Sequence, residues 1–284
     1  MIRNFNRMLI ALSLLLVLIL IAGCTGKTAP TPPSSNLPPA KPVNDPVLPA
    51  GYVILDRQVG NITSDGKPRD ILLIGRKPNA NSNFTDDLSL LVRDETSPNA
   101  VTVKLPNVGG YDSKLFVGEF DGDKINDVFV TIPTGGSGGI MEHRIVTFSG
   151  EPKVIFGSSE NKGIVAAGRF VDGFKFELRE RSTERTVAID LISKMNTYVK
   201  ANLYDTTGKL LRQQSGSVNP FGELTPVDIG RDGTYELRGQ QRITGMYNAD
   251  TVGYIYSIWK YENSVWIPKQ IEASSVLLDF AMSK

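Results

Sequence analysis

Two nine-residue stretches space their acids as a cation-binding loop requires. Glu119-Phe120-Asp121-Gly122-Asp123-Lys124-Ile125-Asn126-Asp127 carries carboxylates at positions 1, 3, 5 and 9; Asp228-Ile229-Gly230-Arg231-Asp232-Gly233-Thr234-Tyr235-Glu236 carries them at positions 1, 5 and 9. Calcium takes roughly six to eight oxygen ligands at about 2.3–2.6 Å. A tight loop turns alternate side chains inward, so oxygens at positions 1, 3 and 5 can converge. The acid at position 9 closes the site from the next strand. This reading makes Asp123 and Asp232 the central acids and Asp127 and Glu236 the closing ones. A third copy, Asn61 to Asp70, offers Asn61 and Asp65 and has one extra residue before Asp70. A fourth, around Asp172, has lost most of its acids. The competing reading is a set of acidic β-turns, because Asp and Gly are ordinary turn residues.

A second pattern could do different chemistry. Gly135-Gly136-Ser137-Gly138-Gly139 fits G-x-S-x-G, and His143 is the single histidine. A serine hydrolase would have to use His143 as its base. A nucleophile elbow needs strand, sharp turn, then helix, whereas apolar strand-like runs flank these glycines on both sides. A glycine-rich loop between strands is the expectation, with His143 a partly exposed residue at a strand entry. Paired carboxylates for glycoside chemistry stay open, since sequence spacing does not give their separation.

The elements that must position these residues read as β. Short apolar runs (Tyr52 to Leu55, Ile71 to Ile74, Leu88 to Val92, Val128 to Ile132, Arg144 to Phe148, Phe174 to Leu178, Gly253 to Trp259) alternate with Gly, Asn, Asp and Pro. Leu203 to Leu210 and Trp259 to Trp266 read as hairpins, the second with aromatics on both arms. Thr186 to Leu203 has a weak helical pattern, but Thr186, Val187, Ile189, Thr197, Tyr198 and Val199 favour strands. The loops begin near residues 61, 119, 169 and 228, a period of roughly 50 to 60.

Gly118-Glu119-Phe120-Asp121-Gly122-Asp123-Lys124-Ile125-Asn126-Asp127-Val128-Phe129-Val130 and Val227-Asp228-Ile229-Gly230-Arg231-Asp232-Gly233-Thr234-Tyr235-Glu236-Leu237 resemble FG-GAP or VCBS repeats. Those are blade units of integrin-α-like β-propellers, and their loops bind calcium. Glu119 stands where that pattern has its first aspartate, and Lys124 where it has glycine. Residues 51 to about 270 also resemble a group of Gram-positive bacterial lipoproteins carrying such repeats, whose characteristic stretches look like Pro133 to Ile140 and Gln241 to Asp250. The resemblance implies an all-β fold, a small β-propeller. Residues 51–284 divided by the period give about four blades. A β-sandwich is the alternative.

Arg3 and Arg7 precede an apolar run from about Met8 to Ala22, and the lone cysteine, Cys24, follows Leu20-Ile21-Ala22-Gly23. A basic start, an apolar stretch and small residues make a secretory signal. The cysteine after them resembles a lipobox, which implies cleavage of residues 1–23, lipidation of Cys24 and anchoring on the extracytoplasmic face of the cell membrane. Residues 24–50 follow as a tether; eight of the 26 residues from Thr25 to Ala50 are proline, too polar and too stiff to fold. Nothing in a chain of net charge +1 suggests a nucleic-acid binder, which would show a concentrated basic face. The expected function is non-catalytic: a calcium-stiffened interaction or structural module of the envelope, its partner an envelope protein or polysaccharide. A hydrolase acting on envelope polysaccharide or peptide is the alternative.

Overall fold

The computed structural model describes residues 48–94 and 100–276. Its strands form three antiparallel sheets. The first holds β1 (Tyr52–Gly60), β2 (Arg69–Arg76), β3 (Phe84–Arg93) and β4 (Ala100–Lys104) in sequence order, with the short β5 (Gly110–Tyr111) on β3. The second is β6 (Lys114–Gly118), β7 (Asp127–Pro133), β8 (Met141–Thr147) and β9 (Lys153–Phe156), again in order. The third joins β10 (Ala166–Val171), β11 (Lys175–Glu180), β12 (Thr186–Asp190), β13 (Ser215–Val227), β14 (Glu236–Thr244), β15 (Thr251–Glu262) and β16 (Val265–Ser275) in the order β12-β11-β10-β13-β14-β15-β16.

The chain is therefore all-β, and each sheet is built from meanders. The apolar runs fall on strands because they are short, β-branched and bounded by turn residues. The Trp259 to Trp266 hairpin forms as expected, Tyr261 opposite Trp266 and Glu262 opposite Val265. Asn263 and Ser264 at its tip have φ of 51° and 66°, the left-handed pair that matches strand twist. Leu203 to Leu210 forms only an isolated bridge, Tyr204 to Leu210.

The second sheet is buried on both faces. Val128, Val130, Ile132 and Val146 pack into a core with Ile71, Leu73, Leu88 and Leu90 of the first sheet. Phe129 and Ile145 point the other way, into a core with Phe221, Leu224, Leu237 and Trp266 of the third. That is why β7 reads as a continuous apolar run and not as an alternating one.

The third sheet curls into a nearly closed barrel around Phe170, Phe176, Leu178, Ile243 and Ile255. A helix, α1 (Met195–Lys200), packs into the same core. The strand-favouring Thr197, Tyr198 and Val199 are thus helical, a correction to the sequence reading. Tertiary contact overrides propensity here: Tyr198 is fully buried, and its hydroxyl donates to Asp250, which also pairs with Lys194 at 2.5 Å.

The third and fourth meanders do not stay separate. The third meander has three strands, and its β10 pairs with β13 of the fourth, Gly168 opposite Gly216. The Phe176 ring lies over this seam. A Cβ on Gly168 would stand 2.0 Å from that ring, and one on Gly216 would stand 2.1 Å from the Thr244 carbonyl oxygen. Every described strand finds its neighbours within one compact unit, Pro46–Lys284, so this stretch carries the whole described fold.

Gly168→Ala should lower stability by about 1–3 kcal/mol, the usual cost of overpacking, read as a lower denaturant midpoint. An unchanged midpoint would show that the seam has slack.

Candidate metal centre

The four loops singled out by spacing occupy one topological position. They join β1 to β2, β6 to β7, β10 to β11 and β13 to β14, closing at Gly60–Arg69, Gly118–Asp127, Val171–Lys175 and Val227–Glu236. Each is the first hairpin of its meander. The two best copies share a bond: Phe120 N–H donates to Asp127 Oδ2 at 3.0 Å, and Ile229 N–H to Glu236 Oε2 at 3.1 Å.

Loop 119–127 lies between its neighbours. The Asn126 backbone N–H and Nδ2 donate to the Asn61 carbonyl. On the other side Tyr235 N–H donates to the Glu119 carbonyl at 2.8 Å, and Thr234 Oγ1 donates to Glu119 Oε2 at 2.9 Å. Lys124 takes a φ of 70°, a region that L side chains rarely adopt.

Glu119, Asp121 and Asp127 bring one carboxylate oxygen each to within 4.8 Å of the others. Asp127 is fully buried, and its Oδ1 has no hydrogen-bond partner. Burial pushes its carboxyl up to about 7 and the nearby charge of Asp121 adds to the shift, against the opposing pull of the Thr147 hydroxyl and the Phe120 amide. Burial also raises Asp121, helped by Asp123 and Glu119. Three carboxyls so close repel one another when ionised. A hard divalent cation would relieve that repulsion and satisfy the orphaned Oδ1, so the donor set fits calcium.

The other predicted ligands are differently placed. Asp123, the expected central acid, is exposed and outside the cluster; its Oδ1 accepts from Ile125 N–H. In loop 228–236 Asp228 accepts the Asp232 and Gly233 amides, the exposed Asp232 accepts from Thr234 N–H, and Glu236 lies 3.4 Å from Lys260 Nζ. Its carboxylates are thus satisfied by amides and a lysine. Asn61, Asp65 and Asp70 do not converge. Asp65 pairs with Arg69 at 2.6 Å, and the buried Asp70 is held between Arg57 and Arg93. Arginines supply there the positive charge that a cation was expected to supply. Asp172 accepts from Leu210 N–H. Thr234 was missed because spacing within a loop says nothing about a neighbouring loop.

Ser137 is exposed, and Arg242 Nη2 donates to its carbonyl. His143 is not at a strand entry but within β8, fully buried and stacked on Phe129 with ring centroids 5.5 Å apart. Asn161 Oδ1 accepts its backbone N–H, and Asn161 Nδ2 donates to its carbonyl. Burial pushes its pKa down to about 4, and no hydrogen bond joins it to Ser137 among the described residues. The glycine-rich loop meets the second characteristic stretch: Arg242 reaches Ser137, and a Cβ on Gly138 would lie 3.2 Å from Asn248.

Residues 164–274 match the YybI C-terminal domain family, a stretch that spans the barrel from its entry into β10 to the end of β16. The chain is 34% identical over 204 residues to YybI of Bacillus subtilis (strain 168), an alignment covering 71% of this chain and 77% of that protein. The chain belongs to the YybI family. No solved structure matches it. Cys24, the signal segment and the tether up to residue 47 lie outside the described residues. No helix among the described residues is long and apolar enough to cross a membrane.

The buried His143 gives a pH prediction. The folded state holds the ring neutral down to about 4, whereas the unfolded chain takes up a proton near 6.5. Its contribution is full above 6.5 and is lost as pH falls from there toward 4. Asp127, raised to about 7, contributes with the opposite sign over the same window, so the His143 part is read as a difference: the midpoint of His143→Phe should rise relative to that of the wild type as pH falls from 6.5 to 4. An equal slope in both proteins would contradict the assignment.

Proposed function

We propose that this protein is a lipid-anchored, extracytoplasmic module whose hairpins are stiffened by calcium at Glu119, Asp121 and Asp127. The observation that carries this reading is the buried carboxylate of Asp127, which keeps one oxygen without a hydrogen-bond partner and lies within 4.8 Å of two more carboxylates. The role is non-catalytic: calcium would fix the middle loop, and through Asn126, Thr234 and Tyr235 the loops beside it. Cys24 would hold the module to the membrane, and the proline-rich tether would set its distance from the bilayer. The partner is an envelope protein or polysaccharide. The equivalent first hairpins support an FG-GAP or VCBS ancestry and a propeller-like stack in which the last two repeats have fused.

Residues 46–284 should melt about 5–10 °C higher in calcium at 100 times its Kd than in EGTA, from about 2.7 kcal/mol of linkage. Asp127→Asn keeps an acceptor for Phe120 and removes the charge. It should raise the EGTA melting temperature and abolish the calcium increment, whereas the exposed Asp123→Ala should leave most of it. An increment that survives Asp127→Asn would place the ion elsewhere; none in the wild type would sink the calcium reading. Labelled fatty acid should enter the full chain but not Cys24→Ser, and equal labelling would remove the anchor.

A further inference from the structure

The barrel leaves a gap. Its seven strands alternate in direction, so its two edges, β12 and β16, run the same way. They cannot close as an antiparallel pair, and no ladder joins them. Val187 on β12 and Ile271 on β16 are 44% and 43% exposed, unusual for aliphatic residues on free sheet edges, which proteins commonly guard with charge.

Beside them is a cavity of about 220 Å³. Leu178 and Ile255, both core residues, form its inner wall; Val187 and Ile271 line it from the two edges. Ala166 and Ala273 leave the room. Glu180, Thr183 and Arg185 are its polar lining. Glu180 is engaged within its own turn, accepting from the Ser182 and Thr183 amides and hydroxyls. Arg185 is exposed, and its guanidinium makes no ion pair among the described residues. The cavity therefore offers an apolar interior and one uncommitted cation.

We infer that this cavity binds the alkyl chain of a small anionic amphiphile, an unbranched alkyl carboxylate, with its head group on Arg185. A small group such as water takes about 30 Å³ of liquid volume, and a methylene takes about as much. The space therefore accommodates a chain of roughly seven carbons. The site is independent of the calcium reading, since it lies in the barrel and uses none of the acidic cluster.

The test is calorimetric titration of residues 46–284 with straight-chain alkanoates of four to ten carbons, below their micelle concentrations. Burial of each methylene should tighten binding about fourfold up to about seven carbons, after which the gain should stop. Arg185→Gln should weaken the alkanoates about tenfold and leave the matching alkanols unchanged. Arg181→Gln, an exposed arginine outside the cavity, should alter neither. Ala273→Leu, at an exposed position that tolerates the larger side chain, should shorten the chain length at which the gain stops. Binding without chain-length dependence, or no binding at millimolar ligand, would overturn the inference. So would alkanoate binding that emerges only after deletion of residues 277–284, because the occupant would then be the chain's own terminus.

Discussion

The arrangement depends on how one carboxylate is held. Asp127 opens β7, the strand buried on both faces, so its side chain cannot reach water. Its Oδ2 accepts from Phe120 N–H and its Oδ1 accepts no hydrogen bond, and one of its oxygens lies within 4.8 Å of a carboxylate oxygen of Glu119 and of Asp121. The same loop takes Asn126 to the first sheet and Glu119 to the third. With one cysteine in the chain, no internal disulfide can do this joining. The three sheets are linked at one end through the loop that carries the greatest concentration of buried negative charge. Buried charge is tolerated only when paired or coordinated, which gives a cation at this point both a structural and an electrostatic reason.

The strands were legible because β7, β2 and β15 advertise themselves by β-branched runs between turn residues, and the Trp259 to Trp266 hairpin by its aromatic arms. The four loop positions were legible from spacing alone, because a repeated first hairpin repeats its closing residue. What spacing cannot show is competition among partners. Asp70 and Asp127 close equivalent hairpins, yet one has Arg57 and Arg93 beside it and the other has neutral donors, Phe120 and Thr147, and further acids. Those arginines sit 13 and 23 residues from Asp70, on strands whose register sequence does not fix. Asp123 illustrates a second limit: a loop pattern marks candidate ligands without saying which turn outward. The fusion of β10 with β13 rests on Gly168 and Gly216, two unremarked glycines that leave room for one phenylalanine ring. Tyr198 went wrong for the converse reason, since a buried hydroxyl partner outweighed its strand preference.

The family match and the acidic cluster divide the molecule. Residues 164–274 hold the barrel, whereas Glu119, Asp121 and Asp127 belong to the second sheet. The two parts meet where Thr234 and Tyr235 bond to Glu119 and where Trp266 Nε1 donates to the Ile155 carbonyl at 2.8 Å. A cation at the cluster would therefore act on the barrel through its first long hairpin, β13 to β14. His143, which invited a catalytic reading, lies buried within β8, its backbone bonded on both sides by Asn161.

Terbium replaces calcium at oxygen sites and scatters anomalously, so a crystal soaked with terbium locates the ion directly. The account predicts one dominant anomalous peak bounded by Glu119, Asp121 and Asp127, lost in Asp127→Asn crystals. A dominant peak at loop 228–236 or 61–70, or none above background at saturating terbium, would contradict it.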